Sequence, residues 1–184
     1  KNKALRVLYN KFPFSDYHLL IVVSPEDELP QVLTQDMHNY VSALTSETNK
    51  FFPGFGIGFN SLAAGASVNH LHFQGFVREQ KFPVELVDIA GDYPLAVQHF
   101  LDIEACWQHL QSLLDQDIAF NCLYRKESCY VVSRKYQGTV ELPDWLDGAG
   151  WLDVAGVMTV SDQQAFDLID QQSVTQSLRL LSVD

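Results

Sequence analysis

The stretch Asn69-His70-Leu71-His72-Phe73-Gln74 places two imidazoles and a carboxamide at alternate positions. On an extended strand, residues two apart share a face, so His70, His72 and Gln74 line one side while Leu71 and Phe73 anchor the other. A neutral imidazole is a competent nucleophile near pH 7, and its attack on phosphorus would split one displacement into two through a phosphoramidate. Just upstream, Gly65, Ala66 and Ser67 offer backbone N–H groups and a hydroxyl, a small-residue nest suited to phosphate oxygens. The same histidine pair could instead bind zinc or copper, but no third ligand is evident beside it.

The elements that must position these residues follow from apolar spacing. Strands are expected at 4–10 and 17–23, joined by the Pro-containing connection 11–16. Leu33, Met37, Tyr40, Val41 and Leu44 recur at steps of three and four, which predicts an amphipathic helix ending near Asn49. Strands at 54–59 and 70–77 flank the small-residue stretch 61–67. Asp102 is placed to cap a second helix whose buried stripe is Ile103, Trp107, Leu110, Leu113 and Leu114. Strands are then expected at 119–124, 130–134 and 154–160. Ser161 and Gln164 form an S-x-x-Q capping box for a short helix through Ile169, and Val174, Leu178 and Leu181 mark a last helix. Hairpin-length links favour an α+β fold with a mostly antiparallel sheet. Leu8-Tyr9-Asn10-Lys11 echoes Leu123-Tyr124-Arg125-Lys126, a short match compatible with a duplicated half.

The 184 residues suit one domain, and 47% hydrophobic against 19% charged excludes a disordered tail. The longest apolar runs, such as residues 19–23, are far too short to span a bilayer. With 12 Lys and Arg against 23 Asp and Glu the net charge is −11, which argues against a nucleic-acid partner. An anionic ligand then needs local cations, and Lys11, Arg125, Lys126, Arg134 and Lys135 are the candidates. Cys106, Cys122 and Cys129 lack C-x-x-C spacing, so reduced thiols used as packing, and a cytoplasmic setting, are expected. The chain opens at Lys1 rather than Met, as a fragment of a longer chain would.

The string NSLAAGASVNHLHFQ, with Asn60, Gly65, Ser67, His70, His72 and Gln74, resembles the H-x-H-x-Q signature of the nucleotidyltransferase branch of the histidine-triad superfamily. That branch includes galactose-1-phosphate uridylyltransferase, dinucleoside tetraphosphate phosphorylase and the GDP-hexose phosphorylases, and the NHLHFQ core is most similar to the last. Asn10-Lys11-Phe12-Pro13 with His18-Leu19-Leu20 resembles the family's first hairpin, and Asn121 to Lys135 with Ala155-Gly156 its second half. The resemblance implies a single HIT-like domain over 1–184, with a half at 1–98 carrying the motif and a half at 99–184 lacking it. It makes His72 the nucleophile that becomes nucleotidylated, with Gln74 bonding the phosphoryl group in place of a third histidine. His70 would position or polarise the phosphates. Ser67 and the Gly65 backbone would contact the leaving phosphate, with Ala66 of the nest counted among the substrate-binding residues, and Asn60 and Asn10 would touch ribose or phosphate.

A third histidine can protonate a leaving group, whereas a glutamine amide does not titrate. The resemblance therefore implies a transferase or phosphorylase with a nucleotide or nucleotide-sugar substrate and a phosphate or sugar phosphate acceptor. A histidine-triad hydrolase is the alternative among enzymes, and a nucleotide- or metal-binding module without turnover is the alternative outside them. The metal-binding cysteines of uridylyltransferases have no counterpart, so neither zinc nor another cofactor is expected. His38, His99 and His109 are expected to face solvent or a satisfied core. His18 is expected to be structural, its ring bonded to backbone. Trp145 and Trp151, which bracket residues 146–150, are read as a satellite hydrophobic cluster without a catalytic role.

Overall fold

Long apolar runs without alternation require cover on both faces, and the central strands of this chain have it. The computed structural model describes residues 3–15, 17–87, 93–146, 148–160 and 162–183. Seven strands, β1 (Leu5–Tyr9), β2 (Leu19–Val23), β3 (Phe55–Asn60), β4 (His72–Val77), β5 (Ala96–Phe100), β6 (Ala119–Arg125) and β7 (Ser128–Arg134), form one sheet. Their order is β1-β2-β4-β3-β6-β7-β5, antiparallel at every pairing. All six residues of β3 are buried, as are the first six of β6.

One face is covered by α1 (Gln35–Asn49) and α2 (Ile103–Asp115). Thr34 caps α1 by accepting from Met37 N–H, and Asp102 caps α2 by accepting from Glu104 and Ala105 N–H, as its place in the sequence predicts. Met37 and Val41 of α1 and Cys106 and Leu110 of α2 pack on Phe59, Phe73, Cys122 and Val131 of the sheet. The other face is covered by α3 (Trp151–Val154) and α5 (Gln171–Leu180), which follow α4 (Gln163–Leu168) and the loops between them. There Trp151, Leu152 and Leu178 pack on Phe76, Leu123, Tyr130 and Val132. The three cysteines are free and buried on the α1–α2 side. Among the described residues, no helix is long and apolar enough to cross a membrane.

Apart from β1, the strand order is a palindrome about β3 and β6, so β2, α1, β3 and β4 correspond to β5, α2, β6 and β7. The Leu8-Tyr9 echo of Leu123-Tyr124 joins β1 to β6, which are not counterparts in this arrangement. Three expectations need correction. Residues 154–160 form no strand: Val154 ends α3, and Gly156 at φ +94° turns the chain away. The run is apolar because Val154 and Ala155 lie in the core and Val157 and Met158 pack against it without joining a ladder. Strand β4 begins at His72, leaving His70 in a bend before it. Strand β5, absent from the sequence reading, pairs with β7 at the sheet edge. Ser161 lies outside the described residues, and Asp162 caps α4 through Ala165 N–H.

Candidate active site

The side chains of His72 and Gln74 project from β4 on the face opposite α1 and α2, because Phe73 between them belongs to the core beneath those helices. His72 Nδ1 lies 2.9 Å from the main-chain oxygen of His70. A carbonyl only accepts, so Nδ1 carries the proton and Nε2 of the neutral ring keeps its lone pair. The bend before β4 that removes His70 from the ladder thus supplies the acceptor that sets the tautomer of His72. The His70 ring itself is half-buried beside the start of the strand.

Gln74 is oriented with equal definition. Trp151 Nε1–H donates to Gln74 Oε1 at 2.9 Å, which makes that atom the oxygen and leaves the NH2 group to meet an acceptor. Trp151, although part of the hydrophobic cluster as expected, is thereby also a partner of the motif. Its indole stacks on Phe76 with centroids 4.9 Å apart, and a Cβ at Gly58 would overlap it. The small residue on β3 makes the space that the ring fills.

His18, fully buried, places Nε2 3.1 Å from Gln74 Oε1 and 3.1 Å from Asn10 Nδ2. Two side chains thus flank this one nitrogen, because Leu20, two residues on, pairs with Gln74 across β2 and β4. Asn10 Oδ1 accepts from Phe12 N–H, so its NH2 faces the His18 ring. Burial lowers the His18 pKa from its ordinary value, against the smaller opposing effects of Gln74 and the Phe12 backbone. Phe14 covers this ring at a centroid distance of 3.8 Å.

The loop 61–67 is tied down from three sides. Asn60 is 5% exposed, donates to Gly65 O at 3.2 Å, and accepts from Asn121 Nδ2 at 2.8 Å and Trp151 N–H at 2.7 Å. Its amide, expected from the sequence to touch ribose or phosphate, bonds the loop and the start of α3. Gly65 adopts φ +93°. Its N–H, expected to meet phosphate, donates to Gln137 Oε1 at 3.0 Å. Ala66 is half-buried and Ser67 exposed at the following positions.

The five cations do not form one patch. Arg125 and Lys126 lie at the turn of the β6–β7 hairpin, and Arg134 and Lys135 at its opposite end. Arg125 bonds Glu85, Gly54 O and Arg78 O, while Arg134 is buried against Ala149 O. Lys11 lies over the Phe12 ring near Asn10. His38 is a satisfied core histidine between Tyr124 and Ile103 O. Among the described residues, no cluster of three or more His, Cys, Asp or Glu is arranged to hold a metal ion. Gln31, Gln137 and Trp151, which the sequence reading passed over as site residues, all bond the motif or its loop. They come from distant segments with no spacing signal to connect them.

The family described as "GDPGP1-like, N-terminal domain" matches residues 1–76. GDP-D-glucose phosphorylase 1 of Xenopus laevis is 40% identical over 85 residues, 46% of this chain and 21% of that protein. GDP-L-galactose phosphorylase 2 of Arabidopsis thaliana is 37% identical over 84 residues, 46% of this chain and 19% of that protein. The matched segment spans about a fifth of the length of these relatives. The yeast Ap4A phosphorylase Apa2 superposes with a TM-score of 0.75 at 18% identity, over 97% of this chain and 73% of its own. The same enzyme in complex with Ap4A gives 0.73 at 18% identity, over 98% and 75%. The chain thus has the fold of the yeast Ap4A phosphorylase Apa2, and its first 76 residues match the GDPGP1-like N-terminal domain.

Proposed function

We propose that this chain carries the nucleotidyl-transfer site of a phosphorylase acting on a nucleoside diphosphate hexose or a dinucleoside polyphosphate. The observation that carries the reading is the hydrogen bond from His72 Nδ1 to His70 O, which leaves Nε2 as an aimed nucleophile. His72 Nε2 attacks the α-phosphorus, a P–N bond forms, and the bridging P–O bond breaks to release hexose 1-phosphate or the distal nucleotide. Inorganic phosphate, or a sugar phosphate, then attacks the same phosphorus. The nucleotidyl group leaves on the acceptor and His72 is restored.

The Gln74 NH2, fixed by Trp151, donates to a phosphoryl oxygen through both steps. Its inability to titrate favours transfer to phosphate over activation of water. Ala66, Ser67 and His70 are assigned to the leaving phosphate, Asn10 to the nucleoside side, and Asn60 and Gly65 to holding the loop. A cleft of about 870 Å³ lined by Tyr9, Phe14, Tyr17, Val77 and Arg78 shares with His18 the ring of Phe14 and has room for a nucleoside. The homologues named as GDP-hexose phosphorylases make a GDP-hexose the first substrate to try. The test is product analysis with and without phosphate. Phosphate-dependent release of a nucleoside diphosphate supports the reading, and phosphate-independent release of the monophosphate contradicts it.

A further inference from the structure

We infer that Gln31, in the loop after β2, is a positioning residue for His72, its carboxamide inserted into the sheet in place of a peptide unit. The inference rests on the transfer reaction proposed above. The β3–β4 ladder pairs Phe55 with Val77, Gly56 with Phe76, Ile57 with Gly75 and Gly58 with Gln74. Two residues further at the same register, Asn60 would face His72, but those two residues exchange no ladder bonds. Gln31 fills the gap. Its Nε2 donates to Asn60 O at 2.7 Å, and its Oε1 accepts from His72 N–H at 2.9 Å. The same Nε2 reaches His72 O at 3.3 Å.

A carboxamide offers the donor and acceptor of a peptide group with one donor to spare, and every one of these is used here. Gln31 is 2% exposed, so water is not at hand to replace it. On its other flank His72 pairs with Val22 of β2. The main chain carrying the nucleophile is therefore gripped from both sides, by a strand on one and by a single side chain on the other. Gln31 is itself anchored, since its N–H donates to Asn69 Oδ1 at 2.9 Å and Leu71 N–H donates to Leu29 O at 2.7 Å. Because the His72 ring is bonded to the adjoining main chain at His70 O, a shift of that main chain carries Nε2 with it.

Small displacements at a reacting atom have large kinetic effects. Gln31→Glu keeps the acceptor for His72 N–H and loses both donors, facing two carbonyls with a carboxylate. Asn69→Ala removes only the exposed anchor and is the variant whose fold is least at risk. Three readouts are compared in wild type and variants: the single-turnover rate of the nucleotidyl adduct on His72 with a GDP-hexose, the affinity for GDP, and the 15N NMR signals of the His72 ring. The adduct rate is expected to fall roughly 100-fold in Gln31→Glu and about 5-fold in Asn69→Ala, with GDP affinity within about 3-fold of wild type. The ring signals are expected to leave the single Nδ1–H tautomer. A wild-type adduct rate with an unchanged ring spectrum in either folded variant overturns the inference. If wild type itself forms no adduct, the transfer reading fails, and the ring spectrum of Asn69→Ala then decides the positioning role alone.

Discussion

At the scale of single residues, the site is defined by which atoms of its rings and amides are already committed. Trp151→Phe keeps an aromatic ring over Phe76 but removes the donor that orients Gln74, so nucleotidyl transfer should slow about 10-fold at a stability cost of about 1 kcal/mol. Single-turnover kinetics and urea unfolding measure the two effects, and a wild-type rate would show that Gln74 needs no such partner. Gln74→His should raise the ratio of nucleoside monophosphate to phosphorolysis product, because an imidazole can move a proton where the amide cannot. The product ratio is decisive here, since misplacement of the phosphoryl group would slow both outcomes alike. His18 gives a pH signature. Burial holds its folded pKa below the ordinary 6.5, so the unfolded chain takes up the proton first. Its effect is a stability that is full above about pH 6.5 and declines as pH falls towards the folded value. Urea midpoints at about pH 7.5 and about pH 5.5 should differ more for wild type than for His18→Gln. Equal differences would contradict it.

At the scale of elements, the motif strand was legible and its surroundings were not. Alternation in NHLHFQ put His72 and Gln74 on one face, and the caps Thr34 and Asp102 stand where local side-chain chemistry places them. Local chemistry also misplaced His70, because a strand start depends on partners: the Gln31 side chain, not β3, meets His72 on that flank. Trp151 bonds Gln74 across 77 positions of sequence, which no periodicity reports. The apolar run 154–160 resembled a strand, yet what fixes that region is the anchoring of Trp151 N–H by Asn60 at one end and the left-handed Gly156 at the other. The loop 61–67 carries its own test. At Gly65 a Cβ would lie 2.9 Å from Gly150 Cα on a backbone at φ +93°. Gly65→Ala is therefore expected to destabilise by about 1–3 kcal/mol and to lower transfer activity with it. A variant with unchanged urea midpoint would show that the two loops yield without cost.

At the scale of the molecule, a palindromic sheet bears a chemical motif on only one of its paired halves. Strand β4 presents His72 and Gln74, while its counterpart β7 presents Tyr130, Val132 and Arg134 to the same face, the first two within the hydrophobic core and Arg134 bonded to Ala149 O. The charge balance is −11, and the cations Arg125 and Arg134 serve the fold, so on the proposed reading recognition of phosphate falls to neutral donors around β4. The most direct test of this account is intact-protein and peptide mass spectrometry after incubating the protein with a GDP-hexose or a dinucleoside tetraphosphate in the absence of phosphate. The account predicts one added nucleotidyl group on the peptide containing His72, labile to acid, discharged by added phosphate and absent in His72→Ala. Turnover of either substrate with no adduct at any quench time, or an adduct that persists in His72→Ala, would contradict it.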